Sequence, residues 1–138
     1  MNYTVKIFTE IKAEDYDDHL EVCYPCAYSC ENGVHRLKYT DEEAGFTVVK
    51  ILPDSRIEIR RKNSFTIILQ NGLTHRVDSE TPYGSIPMAF ALQESRHSLT
   101  EDGGMLTYIA RVEIGGQPQT NQVTMLLIPE ERNTQDYD

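Results

Sequence analysis

The segment Asn71–Leu92, NGLTHRVDSETPYGSIPMAFAL, decides the fold. Leu73, His75 and Val77 alternate with Thr74, Arg76 and Asp78. Beyond a Thr81-Pro82-Tyr83-Gly84 corner, Ile86, Met88, Phe90 and Leu92 again fall on every second position. That period belongs to strands with one buried face, and the Pro-Gly corner turns one strand into the next.

The same grammar extends in both directions. A first strand near 3–11 sets Tyr3, Val5, Ile7, Thr9 and Ile11 on one face, and the acidic turn AEDYDD follows. A second, near 20–30, sets Leu20, Val22, Tyr24, Cys26, Tyr28 and Cys30 against Glu21, Cys23, Pro25, Ala27 and Ser29. Pro25 cannot donate to a ladder and marks an edge or a bulge. Asn32-Gly33 closes a hairpin, and His35, Leu37 and Tyr39 continue beyond it. After the turn TDEEAG, strands are expected near 46–52, 56–61 and 65–70, with Asn71-Gly72 as a further hairpin turn. Downstream of the opening segment, Leu106, Tyr108, Ala110, Val112 and Ile114 share a face, Gly115-Gly116 turns the chain, and a last strand runs near 119–128. Residues 89–97 read as a helix or as a continued strand; no N-cap supports the helix.

About ten strands joined by short turns make an all-β meander, and closure into a single antiparallel up-and-down barrel removes the edges that an open sheet would expose. The barrel, 1–129, is one domain; the polar segment 130–138 is expected to be a disordered acidic tail. At 138 residues the chain buries a core without disulfides or metals.

These segments resemble the YwiB-like family of bacterial proteins. The specific parts are RRKNSFTIILQNGLTHR at 60–76, TPYGSIPM at 81–88 and DGGMLTYIARVEIGG at 102–116. The resemblance implies a calycin-like β-barrel of a domain of unknown function and carries no activity with it. The front of the chain, with Cys23, Cys26 and Cys30, matches no motif of that family.

Composition restricts the function classes. Twenty-two acids against 13 bases give a formal net charge of −9, which disfavours binding by counterion release and so argues against nucleic acid and anionic membrane as partners. The opening MNYTVKIFTE carries Lys6 and Glu10 and no apolar run of signal-peptide length, and an odd number of cysteines is not a disulfide framework. The expected location is the cytoplasm. Cys23-x-x-Cys26-x-x-x-Cys30, with His19 or His35, invites a zinc reading. On a strand, however, Cys26 and Cys30 stand roughly 13 Å apart while Cys23 faces the other way, so no metal site and no cofactor is expected.

The inward parity is the more informative feature. It sends Tyr24, Tyr28, Tyr39, Tyr108, His75 and, on the Ile57-Ile59 face, Arg61 toward the lumen. Two readings fit. In one, these polar tips lie at barrel ends, in solvent or bonded to loop carbonyls, as amphipathic side chains do. Alternatively they line a partly hydrated pocket for a small amphipathic or anionic ligand, with the tyrosines and Met88 on its apolar part and Arg61 on its anionic group. The ligand-binding candidates are therefore Arg61, His75, Tyr83, Met88, Tyr108, Tyr24, Tyr28 and Tyr39. Between Lys50 and Arg76 the bases Lys50, Arg56, Arg60, Arg61, Lys62 and Arg76 outnumber Asp54 and Glu58. That zone is either an anion-steering patch or a solvated strand face.

Catalytic signatures are missing: no Gly-x-Ser-x-Gly elbow, phosphate-binding glycine loop or His-Glu-x-x-His helix occurs. With no Trp in the chain, the lipocalin Gly-x-Trp is missing too. The expected function is a non-enzymatic binding or interaction module. The alternative is a small barrel enzyme acting on an organic acid in the manner of phenolic acid decarboxylases, with Tyr108, Arg61 and Glu94 cast as its working groups and no assigned catalytic residue.

Overall fold

Alternating sequence becomes ladder almost everywhere it was read. The structure is a computed structural model and describes residues 2–130. The strands are β1 (Tyr3–Ala13), β2 (Asp17–Glu31), β3 (Val34–Asp41), β4 (Gly45–Ile51), β5 (Ile57–Arg61), β6 (Ile67–Leu69), β7 (Thr74–Thr81), β8 (Gly84–Thr100), β9 (Gly103–Ile114) and β10 (Gln117–Pro129). They form one sheet in the order β6-β5-β4-β3-β2-β1-β10-β9-β8-β7, each neighbour antiparallel. The first strand pairs along its whole length with the last, from Tyr3↔Pro129 to Ala13↔Gln119. The result is a nearly closed, calycin-like all-β barrel of ten strands.

The joint left without a ladder is between β6 and β7. Asn71-Gly72 does turn the chain, with the Leu73 N–H donating to the Gln70 carbonyl at 3.1 Å, but no paired hairpin follows, because β6 is only three residues long. Side chains bridge the gap instead: His75 Nε2 lies 3.1 Å from the Thr66 carbonyl, and the Phe65 and Phe90 rings meet with centroids 5.9 Å apart.

The inward faces match the apolar parities. Val5, Leu37, Val49 and Leu106 are wholly buried, each such side chain contributing about 1.5–3 kcal/mol. Pro25 sits opposite Thr4 in a regular β1–β2 register, just before the β2–β3 ladder begins at Ala27↔Lys38, so that ladder loses no bond to it. The ambiguous stretch 89–97 is strand. A β-bulge between Leu92 and Glu94 shifts the inward parity from Phe90 and Leu92 to Ser95 and His97, and this break in alternation is what resembled a helical spacing. Of the acidic tail, only Glu130 is described, its N–H bonded to the Asn2 carbonyl at 2.9 Å; 131–138 lie outside the described residues.

Candidate functional site

Ladder register builds the site. Tyr39 on β3 stands opposite Thr47 on β4, and Thr47 opposite Arg61 on β5, so the three side chains form one inward row at the end of a short three-stranded wall. Thr47 is small and buried, which leaves room for the longer side chains flanking it. Facing this wall, Tyr108 on β9 is paired with Val123 on β10, which pairs in turn with Thr9 on β1. Between the walls lies a cavity of about 270 Å³ lined by Tyr39, Asp41, Arg61, Tyr108, Met88 and Phe90, among others. This volume falls just under the ~300–1,000 Å³ of drug-sized sites.

Arg61 is held in place from two sides. The chain turns sharply after it, with the Lys62 N–H donating to the Phe46 carbonyl at 2.9 Å and the Asn63 N–H to Ala44 at 2.8 Å. Its guanidinium lies over the Phe65 ring, 5.2 Å from the centroid, a cation–π contact. Among the described residues it has no ion-pair partner within 4.0 Å, and its Nε is shut off from solvent without a hydrogen bond. An unsatisfied buried donor costs about 1–3 kcal/mol.

Burial pushes the Tyr108 hydroxyl up to about 12 against the pull of Arg61. Burial raises Tyr39 as well, helped by Tyr108 and the Asp41 charge and opposed by Arg61. Both phenols are therefore neutral donors at physiological pH, and neither is hydrogen-bonded to another described residue.

Asp41 was not among the residues expected from sequence. Burial alone would raise its pKa, but N–H donation from Ala44 and Glu43, the Tyr24 hydroxyl and the Arg61 charge outweigh that and hold it below the ordinary carboxylate value. Its Oδ1 accepts from Glu43 N (2.8 Å) and Ala44 N (2.9 Å), and its Oδ2 from Tyr24 Oη (3.1 Å). The signal was present in sequence: Asp41 continues the inward parity of His35, Leu37 and Tyr39, but it stands in TDEEAG, where a turn reading hides its face. With its oxygens engaged, Asp41 orders the rim, leaving Arg61, Tyr39 and Tyr108 among the free donors of the cavity, which Thr9 and Asn121 also line.

The candidate residues separate into groups. Arg61, Tyr39, Tyr108 and Met88 share the cavity, and Tyr24 adjoins it, stacked on Tyr39 with centroids 5.5 Å apart and planes 7° from parallel. Tyr28 lies at the opposite barrel end, its hydroxyl 2.8 Å from His35 Nδ1, with His97 edge-on to His35 at 5.2 Å. There it lines a separate hollow with Tyr3, Cys30 and Glu101. The stagger of β2 carries Tyr28 past the cavity, although Tyr28 shares the parity of Tyr24. His75 belongs to the β6–β7 joint. Tyr83, at the tip of the β7–β8 hairpin, is 98% exposed and touches no cavity; Thr81 Oγ1 caps that turn by accepting from the Tyr83 N–H at 3.1 Å. Glu94 lies past the bulge opposite Ile109, exposed and away from the lumen. The three cysteines are free thiols, Cys26 buried and Cys23 and Cys30 exposed. No cluster of three or more metal-ligating side chains occurs among the described residues.

A nearly closed ten-stranded barrel with a half-polar cavity at one end defines the class: a calycin-like barrel. The chain belongs to the family described as Domain of unknown function (DUF1934), which matches residues 5–126. It is also similar to the ywiB protein of Bacillus subtilis, whose crystal structure superposes with a TM-score of 0.82 at 14% identity, covering 94% of this chain and 92% of that one. At that identity the likeness shows the fold alone, and the fold is the one that the resemblance in sequence implied. No curated protein matches.

Proposed function

We propose that this chain is a non-enzymatic binding module that holds one small amphipathic anion at the Arg61 end of the barrel. The observation that carries this reading is the Arg61 guanidinium. Among the described residues it lines a cavity without an ion-pair partner, in company with the unpaired hydroxyls of Tyr39 and Tyr108. A carboxylate or similar oxyanion accepts from all three donors, and Met88, Phe90, Ile67 and Val112 cover its apolar part. A carboxylate there supplies Arg61 with the counter-charge that no described residue gives it within 4.0 Å. The decarboxylase-like alternative loses support, because Glu94 lies outside and Asp41 is ionised with both oxygens engaged. The exposed free thiols of Cys23 and Cys30 suit a reducing compartment, and this reading places the protein in the cytoplasm.

Native mass spectrometry of protein taken from its natural host, followed by thermal-shift titration with a panel of small aliphatic and aromatic acids, tests the proposal. Recovery of one acid, or stabilisation by one chemical class of acids, supports it. An empty protein that no acid stabilises would overturn it and favour a role in contacting other proteins.

A further inference from the structure

The basic zone visible in sequence divides when the chain folds. Arg61 turns inward, whereas Lys50 and Arg60 turn outward and are joined there by Arg36 and Lys38 from β3. Arg36 stands opposite Lys50, Lys38 opposite Val48, and Val48 opposite Arg60. These residues and Glu58 line an outer cleft of about 230 Å³. Glu58 stands directly opposite Lys50 and is paired with Arg56 at 3.1 Å, so among the described residues the four other cations share this face with a single carboxylate that is already engaged. Like charges placed directly across a ladder are destabilising, and a solvated strand face normally interleaves the two signs. Arg36 is half-buried and has no ion-pair partner within 4.0 Å among the described residues.

The geometry points to a binding site for a short polyphosphate on the outer face of β3–β5, distinct from the lumenal cavity. With strands about 4.8 Å apart and same-face residues roughly 7 Å apart along a strand, the cations frame an area of about 7 by 10 Å. One phosphate reaches only part of that frame; a chain of two or three phosphoryl groups spans it and accepts from Arg36 and Arg60 in the bidentate manner of guanidinium. Val48 forms an apolar floor, and the cleft lining contains no aromatic ring on which a nucleobase would stack. The net charge of −9 repels a long polyanion, while a local positive frame draws a short one. The phosphoryl chain is either free or the tail of a nucleotide.

Calorimetric titration of the full chain at fixed ionic strength, with inorganic phosphate, diphosphate, triphosphate and ATP, decides the matter. Triphosphate and diphosphate are expected to bind more tightly than phosphate. ATP equal to triphosphate identifies the free chain as sufficient, and ATP tighter than triphosphate identifies a nucleotide tail. Arg36→Gln and Arg60→Gln should each weaken triphosphate by about tenfold or more, the scale of one charge-assisted hydrogen bond, with Lys12→Gln as the unaffected control. Arg60 is exposed, so its variant keeps the reading available should Arg36→Gln fail to fold. Absence of binding by all four probes would overturn the proposal. So would triphosphate binding that survives both cleft substitutions, or that is lost on Arg61→Gln alone and so resides in the lumen.

Discussion

Gly104→Ala should be far more damaging than its small size suggests. Gly104 has φ +137°, and a Cβ built there runs into the Ser98 carbonyl oxygen, with the carbonyl carbon at 2.8 Å and Leu99 Cα at 3.1 Å. These atoms are backbone in the β8–β9 ladder, where Gly104 faces Leu99 and Met105 faces Ser98, so no side chain can swing aside. A non-glycine residue at such a φ costs about 1–3 kcal/mol. Displacing the ladder to admit the methyl forfeits at least one hydrogen bond and leaves its partner short, about 1–3 kcal/mol more. The expected loss of roughly 3–5 kcal/mol corresponds to a fall in Tm of about 10–20 °C for a chain of this size. Gly84→Ala is the internal control: its φ is +114°, but nothing lies within 4 Å of the added Cβ. It should show only the dihedral cost, about 1–3 kcal/mol. Urea and thermal denaturation of both variants separate the terms. A Gly104→Ala protein no less stable than Gly84→Ala would refute the close approach of β8 and β9, and with it the physical reason offered for the Gly-Gly that opens β9.

Arg61→Gln should leave stability within about 1 kcal/mol, because the lost Phe65 contact and the removed unsatisfied donor offset each other, while weakening any lumenal acid by about 10- to 150-fold in titration calorimetry. Asp41→Asn should destabilise by about 1.5–3 kcal/mol at neutral pH by removing charge-assisted acceptance. Since the folded pKa of Asp41 is depressed, that contribution is fully present above the unfolded value of about 3.9 and lost as pH falls through the folded one. Wild-type and variant urea curves should therefore converge in acid; a constant gap would contradict the assignment. The pKa of His35 is lowered by burial and by His97, so its contribution is complete above about pH 6.5 and declines as pH drops through the folded value. His35→Gln should flatten the stability–pH profile in that interval. Tyr83→Ser, at a 98% exposed tip, should change neither stability beyond about 0.5 kcal/mol nor acid binding.

Period-two alternation was enough to identify the strands and their inward faces, because a residue's side of a sheet follows from its parity, and a slip of one residue would expose the whole apolar set. That local rule placed Arg61, Tyr39, Tyr108 and Met88 on the lumen side. It has no information on height along the barrel, which depends on how far each strand is staggered against its neighbour. Tyr24 and Tyr28 share a face, yet register joins one to Asp41 at the cavity rim and the other to His35 at the far end. Parity also fails wherever a partner strand stops short. Leu20 and Val22 point inward but stay exposed, because the β2–β3 ladder begins only at Ala27. The outer cleft is the clearest case: Arg36 and Lys38 lie more than ten residues from Lys50 and Arg60 in the chain, and only the antiparallel return of β3, β4 and β5 sets the four cations side by side. Facing is a property of each residue and its neighbours in sequence, whereas stagger, partner length and cross-strand adjacency exist only once distant segments have exchanged hydrogen bonds.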